Sequence, residues 1–104
     1  MGERTENVVP GDIGTTLTRL AQTIAQRHEQ LPEASYTTAL FTKDGDFLHK
    51  KVVEEATEVI LAAAAHDHDH LRYEAGDLLY HLLVLLEREG VSLAELAGEL
   101  DARM

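Results

Sequence analysis

The sequence predicts an all-α fold, a helical bundle of four main helices. Three observations carry that expectation. Long stretches repeat their apolar residues at helical spacing, none alternates with period two over a useful length, and Ala and Leu, both strong helix formers, dominate. At 104 residues the chain is the size of one domain.

Residues 1–13 are polar, include Pro10 and Gly11 and show no periodicity, which predicts a mobile tail ahead of a helical domain over 14–104. Thr15 or Thr16 can cap a first helix running to about Gln30, its apolar stripe Leu17, Leu20, Ala21, Ile24 and Ala25, with Pro32 as the stop. Ser35 to Lys43 predicts one or two helical turns. Asp44-Gly45-Asp46 is a turn signal, and Asp46 can cap a second long helix from Phe47 to about Ala65. His66-Asp67-His68-Asp69-His70 is a polar connector with Asp69 as a candidate cap. A third long helix then runs to about Glu89 and stops at Gly90, and Ser92 caps a short last helix carrying Leu93, Leu96, Ala97 and Leu100. The third long helix contains Leu78-Leu79-Tyr80-His81-Leu82-Leu83-Val84-Leu85-Leu86, apolar nearly all the way round, a pattern that belongs to a buried helix. A domain this small buries only about two thirds of its unfolded surface. Covering such a helix therefore points to a homo-oligomer. Gly76, unfavourable inside a helix, is expected where two helices approach closely.

The net charge of −10 argues against a nucleic-acid-binding surface, which would be basic. A small nucleotide stays compatible, because a bound metal reverses the local sign. There is no cysteine, hence no disulfide or thiolate chemistry. No signal-peptide pattern is present and no apolar run approaches the roughly 20 residues of a membrane span. A soluble cytoplasmic protein without a membrane partner is the expectation.

The chemistry-bearing feature is a split set of acids. Glu54, Glu55 and Glu58 lie within an arc of about 100° on the second long helix, with Lys51 in the same arc. Glu74, Asp77 and His81 lie within about 60° on the third, bordered by Leu78 and Leu85. The first group alone is as readily a solvated face paired with Lys50 and Lys51. The second is harder to explain that way, because it sits on an apolar helix; a structural salt bridge is the alternative, but neither Arg72 nor Arg88, the nearest arginines, lies at i+4. Two acidic pairs converging on one point would need cations or protons, and carboxylate oxygens suit Mg²⁺ or Mn²⁺. Lys43, Lys50 and Lys51 flank the acids and read as solvated surface or as point charges for phosphate. His81 reads as a satisfied core histidine or as a substrate contact. The His66, His68 and His70 run reads as plain surface rather than a zinc tract. Gly45 belongs to no phosphate-loop pattern.

The segments Ser35-Tyr36-Thr37, Lys50-Lys51-Val52-Val53-Glu54-Glu55-Ala56-Thr57-Glu58 and Tyr73-Glu74-Ala75-Gly76-Asp77-Leu78-Leu79-Tyr80-His81-Leu82 closely resemble the phosphoribosyl-ATP pyrophosphatases, a family of the MazG-like all-α nucleotide pyrophosphohydrolases. The likeness covers about residues 16 to 100. It implies a MazG-like helical bundle packed as a homodimer, and Mg²⁺-dependent hydrolysis of phosphoribosyl-ATP to phosphoribosyl-AMP and pyrophosphate in histidine biosynthesis. Carried over by motif position, Glu55, Glu58, Glu74 and Asp77 would hold the metal, and Glu54 would be a further acid of the site. Glu54 and Glu55 are the candidate bases, and Lys43, Lys50, Lys51, Tyr36 and His81 the candidate substrate contacts. The chain departs from the pattern at Val53, where Gly is common, at Gly76, where Ala is common, and in 44–49, which lacks a Lys often found there; no carboxylate is lost. Two rival readings share the residues: a pyrophosphohydrolase for other nucleoside triphosphates, and a non-catalytic helical interaction module.

Overall fold

The computed structural model describes residues 3–104. Five helices follow one another: α1 (Ile13–Gln30), α2 (Tyr36–Thr42), α3 (Gly45–Ala64), α4 (His68–Arg88) and α5 (Leu93–Arg103), with no strand among the described residues. The four longer helices are those expected, and α2 is the short helical segment after Ser35. Of the predicted tail, positions 1 and 2 lie outside the described residues. The next stretch is non-helical and touches α4: Arg4 pairs with Asp67, the Tyr73 hydroxyl donates to Glu3, and Arg72 donates to the Thr5 carbonyl at 2.7 Å.

Three caps fall earlier than expected. Asp12, not Thr15 or Thr16, caps α1 by accepting from the Thr15 N–H at 3.1 Å; the Thr15 hydroxyl donates to the same carboxylate. Asp44 caps α3 through the Asp46 N–H at 2.9 Å, and Asp67 caps α4 through the His70 N–H at 3.2 Å. In each case an Asp upstream is an equal or better acceptor than the residue expected. Asp46 and Asp69 become first-turn acids, where the helix dipole favours a negative charge. Ser92 caps α5 as expected, in a capping box with Glu95. α1 stops at Leu31, whose left-handed φ of 47° lets its N–H reach the Arg27 carbonyl at 2.8 Å. Pro32 disfavours helical backbone at that residue. Gly90 ends α4 at φ +80°, a conformation that favours glycine.

The core is small. Ile24, Leu40, Leu48, Leu83 and Val84 form its buried centre, with Leu17, Phe41, Phe47 and Val52 among the half-buried residues around it. α3 and α4 make the most extensive contact. Polar links fix the other helices to this pair. His28 Nδ1 meets Glu87 at 2.7 Å, tying α1 to α4, and its ring stacks on Phe41 at 4.1 Å. Arg88 donates to the Leu40 carbonyl at 2.8 Å, tying α4 to α2. The all-round apolar α4 is only partly covered within one chain, with Leu79 still exposed. Gly76 marks no close approach: it is exposed, and a Cβ built on it meets nothing within 4 Å.

Gly76→Ala should therefore raise stability by about 0.5–1 kcal/mol, because it restricts the unfolded chain and adds no clash. Chemical denaturation measures this; a loss of stability would mean that another surface packs on that face.

Candidate metal centre

The connector between α3 and α4 sets the site. After the Ala65 cap, His66 takes a left-handed φ of 54° and Asp67 opens the next helix, so the chain reverses in three residues. Positions equidistant from such a turn then face each other across the helix pair. Glu58 lies seven residues before Ala65 and Glu74 seven after Asp67; Glu55 and Asp77 stand ten from the same points. At 1.5 Å per residue these pairs meet about 10 and 15 Å from the turn.

Carboxylate oxygens of Glu55, Glu74 and Asp77 accordingly lie within 4.8 Å of one another. A second group shares Glu74: one ligand atom each from Glu58, His70 and Glu74 lie within the same distance. Glu55 is only 9% exposed and Glu74 only 7%. Burial holds the Glu55 carboxyl above its ordinary range, the charges of Asp77 and Glu74 add to that, and the Lys51 ammonium opposes it. Lys51 stands 3.6 Å from Glu54 and 3.7 Å from Glu55. Glu54 is more exposed and belongs to neither trio.

Beside the acids runs a hydrogen-bond chain. The Asp77 carbonyl can only accept, so His81 Nδ1 carries the proton in their 2.8 Å contact. In the neutral ring Nε2 is then an acceptor, and the Tyr36 hydroxyl donates to it at 2.8 Å. Tyr36 is held above its ordinary pKa by burial first, then by Tyr80 and by Glu55, Asp77 and Glu54, so its hydroxyl stays protonated. Tyr80 meets Thr37 at 2.5 Å, a second link between α4 and α2. His81 is thus buried and fully bonded, with one partner, Tyr36, that is itself exposed.

The structure brings together Glu55, Glu58, Glu74 and Asp77, with Lys51 and Glu54 at the edge and Tyr36 and His81 alongside. It does not bring in Lys43, whose ammonium lies over the Phe47 ring at 4.5 Å from its centroid, nor does Lys50 form an ion pair among the described residues. His70 was missed by sequence reasoning, which assigned its run to surface. The available signal was its position four residues before Glu74 on one helix face.

The residues fit a hard divalent cation. Three oxygens converge where mutual repulsion and burial disfavour three bare negative charges, and carboxylates are the ligands such ions take. Among the described residues no helix is long and apolar enough to cross a membrane.

A helical bundle with acids of two adjacent helices converging in this way has the architecture of the MazG-like class. Residues 17–104 match the family model described as phosphoribosyl-ATP pyrophosphohydrolase, and the chain belongs to that family. It is 46% identical over 88 residues to the phosphoribosyl-ATP pyrophosphatase of Metallosphaera sedula, covering 85% of this chain and 95% of that one. The enzyme of the same name from Rhodobacter capsulatus is 47% identical over 89 residues, 86% of each chain. The histidine biosynthesis bifunctional protein HisIE of Bacillus subtilis is 45% identical over 101 residues, 97% of this chain and 48% of that one. The chain thus spans about half the length of that bifunctional relative or less of others like it.

A pH dependence follows from Glu55. Its carboxyl titrates near 4.5 when unexposed to the fold and higher in the folded chain. The folded state therefore binds the proton more tightly, and this contribution to stability is complete below about 4.5 and lost as pH rises through the raised value. In chelator, wild-type melting temperature should fall across that window relative to Glu55→Gln, which lacks the titrating group; parallel pH profiles would refute the assignment.

Proposed function

We propose that the chain hydrolyses phosphoribosyl-ATP to phosphoribosyl-AMP and pyrophosphate, the second step of histidine biosynthesis, with Mg²⁺ as its cofactor and Mn²⁺ as a substitute. The observation that carries this reading is the buried convergence of Glu55, Glu74 and Asp77 in a chain of this family. The names of the relatives supply the substrate.

Glu55, Glu74 and Asp77 would hold the metal, with Glu58 beside them. When bound, Mg²⁺ supplies neutralisation of triphosphate charge and orientation of the reactants. The chain's own groups do the rest. Glu54 stays outside both trios and so is not committed to the metal, which leaves it to accept the proton of the attacking water. The Lys51 ammonium can follow the charge that develops on the departing pyrophosphate. The His81–Asp77 contact fixes the backbone turn that aims the Asp77 side chain, and the Tyr36 hydroxyl orients His81. The exposed ring of Tyr36 then borders the substrate's approach. A reaction on a free nucleotide supports a cytoplasmic location for it.

The reading includes a homodimer. Val53, Ile60 and Leu61 on α3 are 65, 67 and 57% exposed, on neighbouring positions of one helix face. This is apolar surface that a second copy would cover.

Pyrophosphate release from phosphoribosyl-ATP, with ATP and deoxynucleoside triphosphates as controls, tests the function. Release should need Mg²⁺, vanish in EDTA and be confined to phosphoribosyl-ATP; release mainly from the controls would move the protein to general nucleotide clearance. Asp77→Asn and Glu58→Gln should keep their helical content and lose roughly 10³-fold or more of turnover, since a catalytic metal supplies several kcal/mol. Sedimentation of Ile60→Lys should show monomer where the wild type shows dimer; identical profiles would exclude α3 as the interface.

A further inference from the structure

We infer that the ring of Tyr36 is the platform on which the base of the nucleotide substrate stacks, so that this side chain sets the preference for a nucleotide over an inorganic polyphosphate. The inference rests on the proposed action on a nucleotide and deepens it by naming what holds the base.

Of three Tyr and two Phe side chains, Tyr36 alone is exposed, at 47%. It is not a loose surface ring. Its hydroxyl donates to His81 Nε2 at 2.8 Å, and His81 Nδ1 donates to the Asp77 carbonyl at 2.8 Å. The ring lies 6.4 Å from that of Tyr80 at 27°, an offset stack, and meets that of His81 edge-on at 5.7 Å. The start of α2 is fixed as well. Ser35 caps the helix through the Thr38 N–H, the Thr38 hydroxyl donates to the Pro32 carbonyl at 2.7 Å, and the Thr37 hydroxyl meets that of Tyr80. A side chain held at both ends has lost its freedom before any ligand arrives. A planar partner laid on it therefore costs little further ordering.

The position suits a nucleotide anchored by its phosphates. The Tyr36 ring stands one imidazole and two hydrogen bonds from Asp77, a member of the acidic trio. Burial, then Tyr80, then the charges of Glu55, Asp77 and Glu54 raise the pKa of its hydroxyl, so the acids act on this group at short range. In a nucleoside triphosphate the ribose separates the base from the α-phosphorus. A ring beside the metal centre, and not within it, meets the base while the phosphates meet the ion. Tyr80 lies against the ring from α4, and the exposed part offers bare π surface, so a base there extends the stack to three rings. Every base has a π face, so stacking separates nucleotides from inorganic polyphosphates more than one base from another.

The hydroxyl has its own part. Through His81 it ties the platform to the Asp77 backbone, which keeps base and α-phosphorus in a fixed relation.

Binding of AMP and of pyrophosphate to the full chain in Mg²⁺, followed by calorimetry, tests this. Tyr36→Leu should weaken AMP at least about tenfold, within the range that base–aromatic stacking contributes, and leave pyrophosphate affinity unchanged. Tyr36→Phe, which keeps the π face, should keep the AMP affinity. Tyr36→Trp puts a single tryptophan into a chain that has none; AMP should quench its fluorescence and pyrophosphate should not. The proposal is overturned by AMP binding that is equal in Tyr36→Leu and wild type, lost in Tyr36→Phe or absent from the wild type, and equally by an unquenched tryptophan. Pyrophosphate binding lost along with AMP would make Tyr36 a support of the metal centre, which also overturns it. The reading of function fails separately: a wild type that binds AMP through Tyr36 but releases no pyrophosphate from any triphosphate keeps the platform and loses the hydrolase.

Discussion

Everything in this molecule is arranged around carboxylates that repel one another in a place largely closed to water. Burial and the neighbouring charges of Asp77 and Glu74 hold the Glu55 carboxyl above its ordinary range there, because low-dielectric surroundings strengthen like-charge repulsion. The cluster persists because stiff helices hold it. A loop could relieve the repulsion by moving aside, but an acid on a helix is tied to the position of the whole helix. The short α3–α4 connector completes the constraint, since it leaves no slack to slip the two helices past each other. Register, set by where the chain turns, thus becomes the source of the chemistry.

Around that pair the remaining helices act as braces. α2 is too short to be stable alone, yet it supplies Tyr36 and Thr37, whose hydroxyls meet His81 and Tyr80 of α4. α1 fills the core through Ile24 and is pinned by His28 to Glu87. The hydroxyl and His28 contacts are polar and directional, so each fixes an angle as well as a distance. The Tyr36–His81–Asp77 chain carries this to the metal centre: a hydrogen bond to the Asp77 backbone holds the residue whose side chain faces the other acids.

Helix existence and type were legible in the sequence because the apolar spacing of α1, α3 and α4 is long and regular. The starting points of α1, α3 and α4 were not, and for one reason. Each of these three helices is preceded by more than one good acceptor, and pattern alone does not choose between Asp12 and Thr15, Asp44 and Asp46, or Asp67 and Asp69. The four acids of the two trios were legible through their i, i+3 spacing, and the family likeness selected the same residues. His70 was not, because whether a histidine beside a turn faces water or the site depends on which Asp caps the helix. Gly76 misled in the opposite direction: its cost inside a helix suggested a close contact, and the structure shows an open face. Lys43 stood as a candidate phosphate contact by proximity in sequence, and in the structure its ammonium lies over the Phe47 ring.

A cation at this centre would also stabilise the fold. The core has few fully buried apolar residues, and the net charge of −10 works against compactness. Because the ligands come from α3 and α4 together, an ion binds the assembled helix pair and not the unfolded chain, so its binding free energy adds to folding. The same linkage explains why crowded acids can be kept in so small a domain. Glu55, which holds its proton too tightly, destabilises the metal-free chain, and an ion bound at the centre would remove that cost. Stability and the proposed activity would then rise together with the same ligand, which would tie the working state to the folded state.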